Sequence, residues 1–173
     1  MIRFIVFIVI YLFVALEIEA GVLPQIESLL SGRYELMIGL RMLALGAVLA
    51  GMLRGEVAGM LAGLAGALLA GCSMQAGWLG AGIVSFALIG YLAGLMARQF
   101  RLNGFMFRWF TIFFLLVVER LAFIMARWFF WRDSGLVIPW LTLILTGLIG
   151  SVIYRLFSRA LKSNNLYGVD VEA

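Results

Sequence analysis

The sequence predicts an all-α polytopic membrane protein. The expected form is a bundle of about six transmembrane helices with both termini in the cytoplasm. Three observations carry this prediction. First, 65% of the 173 residues are hydrophobic and 13% are charged, against about 45–50% and about 25% in a soluble domain. Second, the stretch Val57–Ala97 runs for 41 residues without a charge. That holds two membrane-spanning helices of about 20 residues and a turn. Third, the basic residues gather in alternate gaps between the apolar runs. Mean hydropathy is +1.11, too apolar for a small globule in water. The sequence pI of about 9.7 does not indicate nucleic-acid binding, because the basic residues are spread thinly between apolar runs. With no histidine and one cysteine, Cys72, an internal disulfide and a Cys/His zinc site are both excluded.

The spans are expected in order at Phe4–Val22, Tyr34–Leu53, Val57–Gly71, Leu79–Ala97, Phe107–Phe130 and Leu136–Leu156. The runs are long and do not alternate polar with apolar, which favours helices over barrel strands. The first run follows Arg3 and also fits a signal peptide. Against that, Glu17 and Glu19 occupy the cleavage region and no Ala-x-Ala site follows. The turn inside the charge-free stretch is expected around Cys72–Gly77, its most polar part. The third span is short and glycine-rich and could form a tighter hairpin with the second, so a five-span count is the alternative. Residues 1–162 form one bundle in this reading, and Ser163–Ala173 is a polar cytoplasmic tail.

Charge sets the orientation. With six spans, Arg3, Arg54, Arg98, Arg101, Arg108, Arg155, Arg159 and Lys162 share one side, and Arg33 and Arg132 take the other. The positive-inside rule then places both termini in the cytoplasm. The five tryptophans fall near span ends, as in an interfacial aromatic belt. Ordinary packing explains them nearly as well.

Three basic residues are left over, Arg41, Arg120 and Arg127, and Glu17, Glu19, Glu35 and Glu119 also lie in or near spans. An isolated charge at the bilayer centre costs at least about 2.5–3.5 kcal/mol, so these residues should pair, face inward or snorkel. Glu119 and Arg120 are consecutive and point about 100° apart on a helix, so each needs a partner elsewhere. The expected pairs are Glu119 with Arg41, and Glu17 or Glu19 with Arg127. Two roles stay open for them: orienting helices, or forming a polar site for a partner's helix or a polar ligand. Gly55, Gly59 and Gly63 recur every fourth residue, and Gly90 and Gly94 repeat the spacing. Small residues let helices approach closely in lipid, so these glycines are expected at helix contacts.

The segment Gly55–Phe100 resembles the rod shape-determining protein MreD family. The resemblance rests on its glycine ladder, its polar turn, Gly90-Tyr91-Leu92-Ala93-Gly94-Leu95, and the following Arg98 and Arg101. Leu23-Pro24 matches the family's proline after the first span. Arg33-Tyr34-Glu35-Leu36 is similar to its Arg-Pro-Asp-Leu motif, with Tyr34 replacing proline. One departure is Ala67-Leu68-Leu69-Ala70, where many members carry an acid. The resemblance implies a non-enzymatic scaffold of bacterial cell-wall elongation in the inner membrane. Its implied partners are MreC, MreB filaments, and RodA with its penicillin-binding transpeptidase. The family's fold is similar to that of vitamin-binding S components of energy-coupling-factor transporters, which makes such a component the alternative function.

Catalysis is not expected. The only aspartates are Asp133 and Asp170, placed in a loop and the tail, and Cys72 has no evident base. Ser85, Thr111, Thr142 and Thr146 read as hydroxyls that bond back to their own helix. No metal ligand set or cofactor site is expected, and membrane lipid is the expected surrounding.

Overall fold

The computed structural model describes residues 2–18, 41–73, 79–100, 104–131 and 140–163. Those residues form six helices and no strand: α1 (Ile2–Glu17), α2 (Met42–Arg54), α3 (Glu56–Ser73), α4 (Leu79–Gln99), α5 (Phe105–Trp131) and α6 (Trp140–Ser163). Three of them contain stretches long and apolar enough to cross a membrane: Gly80–Gln99, Phe105–Ala126 and Trp140–Arg159. The other apolar helical stretches, Phe4–Glu17, Met42–Arg54 and Glu56–Gly71, are shorter. Helix α3 runs on through Cys72 and Ser73, where the polar turn is expected to begin, and 74–77 of that turn lie outside the described residues. The expected Tyr34–Leu53 span is described only from Arg41 onward, and the tail beyond Ser163 lies outside the described residues.

The short helix α2 is the hub. All of Met42–Met52 is buried, and α2 packs against each of the other five helices. Its sequence, MLALGAVLAGMLR, is apolar all round, the pattern of a helix enclosed by others. Its small residues admit neighbours from several sides. Tyr11 and Leu12 of α1 lie against Gly46, and Leu45 lies against Gly150 of α6.

The closest approach is between α2, α3 and α4. A Cβ on Gly59 or on Gly51 would collide with the Gly90 carbonyl oxygen. One on Gly90 would collide with the Gly59 carbonyl, and one on Gly63 with the Phe86 carbonyl. Gly94 abuts the backbone at Gly55 and Glu56. Between helices in lipid the hydrophobic effect is weak, so close dispersion contact of this kind supplies the association.

Gly55 differs from the sequence expectation. It does not present a packing face, since its own Cβ position is open. It joins α2 to α3 at φ 92°, ψ −178°, a region essentially restricted to glycine. Its N–H donates to the Gly51 carbonyl at 2.8 Å, and its carbonyl accepts from Gly59 N–H at 3.1 Å. The chain therefore passes from α2 to α3 through one residue, and the two helices pack against each other.

One end of the bundle gathers the basic residues. The Arg54 guanidinium lies over the Phe4 ring at 5.0 Å, and Arg108 lies over Tyr154 at 5.5 Å. Phe7 meets Phe157 edge-on at 3.9 Å, and Arg98 faces Glu56 at 3.8 Å. These contacts bring the starts of α1, α3 and α5 level with the ends of α2, α4 and α6, so consecutive helices run antiparallel. The Arg98–Glu56 pair adds little stability, because Arg98 is 82% exposed.

Candidate functional site

About 20 Å from the basic end, by the 1.5 Å rise per residue, the bundle holds a polar cluster. Arg41 stands immediately before α2 with φ −89°, ψ 61°. Its carbonyl accepts the Leu45 N–H at 3.0 Å, which starts the helix. Its own N–H donates to Thr146 Oγ1 at 3.3 Å. Its Nη1 donates to Glu119 Oε1 at 2.9 Å. The Arg41 side chain is 22% exposed and that of Glu119 is fully buried.

Each neighbour has a local reason for its place. Glu119 lies midway along α5, beside the buried Leu115 and Leu116. Thr146 donates its hydroxyl proton to the Thr142 carbonyl one turn back, at 2.8 Å, which leaves its oxygen free to accept from Arg41. Phe123 is one turn beyond Glu119. Arg41 and Arg120 each approach its ring at 5.7 Å from the centroid. Tyr11 closes the α1 side by donating to the Met42 carbonyl at 3.0 Å. Helices α1, α2, α5 and α6 thus converge on one ion pair.

The electrostatics constrain what this cluster does. A carboxylate this deep is costly unless paired, and the carboxylate also lies near the positive end of α2, which favours an anion. One of its oxygens is satisfied by Arg41. The other, Oε2, has no hydrogen-bond partner among the described residues. The arrangement holds a fixed cation and anion side by side at the meeting point of four helices.

The sequence-expected residues divide clearly. Arg41 and Glu119 form the expected pair, and Arg120 is half-buried against Phe123. Glu17 ends α1 with an exposed side chain. The second expected pair, Glu17 or Glu19 with Arg127, falls outside the described residues: Glu19 and the Arg127 side chain are not among them, and neither is Glu35. Ser85, Thr111 and Thr146 bond back to Gly82, Phe107 and Thr142 as expected of intrahelical hydroxyls. Sequence reasoning missed Tyr11, Phe123 and Gly51. Gly51 precedes Gly55 by four residues, so extending the ladder backward finds it. Nothing in the sequence singles out Tyr11 or Phe123 from other aromatics.

No protein-family model matches the chain, and neither does any curated protein or solved structure.

Proposed function

We propose that the chain is a non-enzymatic, multi-pass scaffold of the bacterial inner membrane that serves cell-wall elongation. The observation that carries the scaffold reading is the pairing of an apolar exterior with deep charges that meet each other inside. Large apolar side chains stand exposed along the outer helices, among them Phe110 and Phe114 on α5 and Leu148, Val152 and Leu156 on α6. The deep charges Arg41 and Glu119 meet each other inside. Such a bundle is suited to lipid outside and to holding partner helices in a fixed arrangement. The common basic end supports a six-span topology with that end in the cytoplasm.

The resemblance supplies the machinery: MreC, RodA with its transpeptidase, and MreB filaments. A clean deletion should turn rod-shaped cells round, and MreC should copurify with the tagged chain. Rods of normal shape, in a cell without a second copy of the gene, exclude this role.

A second reading, a vitamin-binding S component, has one observation in its favour. The unsatisfied Glu119 Oε2 and the partly exposed Arg41 lie away from the basic end, where a transported solute would enter. A vitamin that copurifies with the chain, and is lost in Arg41→Met, favours this reading over the first.

A further inference from the structure

The outer face of α1 carries a feature that lipid alone does not accommodate. Ile5, Val6, Val9, Ile10, Phe13 and Val14 are all exposed, and Glu17, exposed as well, continues the same stripe one turn beyond Phe13. The opposite side of α1 is spent on the bundle, where Leu12 and Ala15 are buried. The α1–α2 register, with Phe4 at Arg54 and Tyr11 at Gly46, brings Glu17 level with Arg41. That is about 20 Å from the basic end by helix rise; with the basic end at one edge of a hydrocarbon core about 30 Å thick, as the membrane-scaffold reading has it, Glu17 falls inside the core.

Three physical facts make a carboxylate unfavourable there. A charge at such depth costs kilocalories unless it is paired. Helical side chains lean toward their own N-terminus, so Glu17 leans toward the midplane and away from the nearer interface. It also sits at the negative end of the α1 dipole, and the last turn of α1 has no basic residue to offset it. Among the described residues the bundle pairs the carboxylate of Glu119 internally, while Glu17 is exposed. Each of these terms is relieved by one kind of neighbour, a cation at that depth.

We propose that the outward face of α1 is a docking strip for a partner's transmembrane helix that carries a Lys or Arg level with Glu17. The apolar residues supply packing and Glu17 sets register and specificity. A second copy of this chain is the wrong occupant, because a parallel α1–α1 contact brings two carboxylates together. The proposal rests on the membrane-scaffold reading for the embedding of the bundle and is independent of which machinery it serves.

The test uses the full chain in phosphatidylcholine–phosphatidylglycerol vesicles, with a fluorescent donor at its C-terminus. The probe is an acceptor-labelled Leu–Ala transmembrane helix with one Lys a third of the way in from its outer end, compared with a twin bearing Met. The Lys helix should associate about 3- to 20-fold more tightly, the range of measured interhelical polar contacts. A photocrosslinker at Val14 should capture it, and one at the exposed Leu148 of α6 should not. Glu17→Gln should reduce its association to that of the twin. Glu17→Lys should invert the preference toward a Glu-bearing helix, which keeps the test decisive if the first variant folds poorly. Equal association of the two helices, a preference that survives Glu17→Gln, capture at Leu148 alone, or self-association of the chain through Val14 would each overturn the proposal. Because the probe is synthetic, a failure here leaves the cell-shape experiment intact, and the reverse also holds.

Discussion

Arg41 shows how one residue can join several helices. Its backbone starts α2 and bonds α6, and its side chain neutralises α5. Removing one member of a buried pair leaves the other as an uncompensated charge, at about 3–5 kcal/mol. Arg41→Met is therefore expected to destabilise the protein by about that amount, measured by unfolding in detergent. Exchanging both charges should recover part of the loss. If Arg41→Glu with Glu119→Arg is no more stable than either single change, the pair does not hold the helices together. The pairing was legible in the sequence because an arginine and a glutamate in different spans each needed a partner. Thr146 was legible only as a hydroxyl that satisfies itself; that it also accepts from Arg41 depends on how α6 packs.

At the scale of elements, the decisive contacts are backbone to backbone. Gly51, Gly59 and Gly90 let α2, α3 and α4 touch without side chains between them. Gly90→Leu cannot be accommodated there, because its Cβ alone would strike the Gly59 carbonyl. Loss of monodisperse protein on size exclusion is the expected outcome. Gly90→Ala places the same Cβ against that backbone carbonyl, so it too should separate α3 from α4 and lower stability, with Gly90→Leu the worse of the two. Gly55→Ala tests a different mechanism. Nothing lies within 4 Å of its Cβ position, so any loss comes from the strained φ and should be about 1–3 kcal/mol. Equal stability of Gly55→Ala and wild type would show that the α2–α3 joint can relax. The four-residue spacing marks these glycines together. Spacing alone does not separate the turn at Gly55 from the contact at Gly59, because both uses require a missing side chain.

For the whole molecule, topology and charge point the same way. Arg54, Arg98, Arg108 and Tyr154 lie at one end with the start of α1, the pattern the positive-inside rule sorts. A C-terminal green fluorescent protein fusion should fluoresce and a C-terminal alkaline phosphatase fusion should be inactive. The opposite result reverses the orientation or makes the span count odd. Helix number and approximate limits followed from the apolar runs, since a backbone in lipid must satisfy its own hydrogen bonds.

The sequence by itself determined the solvent and the elements. A chain with so few charges belongs in lipid, lipid demands helices, and basic residues in alternate gaps set which helix ends lie together. Only the tertiary structure decided the centre. Apolar periodicity cannot rank helices by burial when nearly every face is apolar, so the hub role of α2 is invisible until Gly46 meets Tyr11, Gly51 meets Gly90 and Leu45 meets Gly150. The same holds for direction. Glu17 and Glu119 look alike as carboxylates in apolar runs, and the packing of α1 and α5 turns one outward and the other onto Arg41.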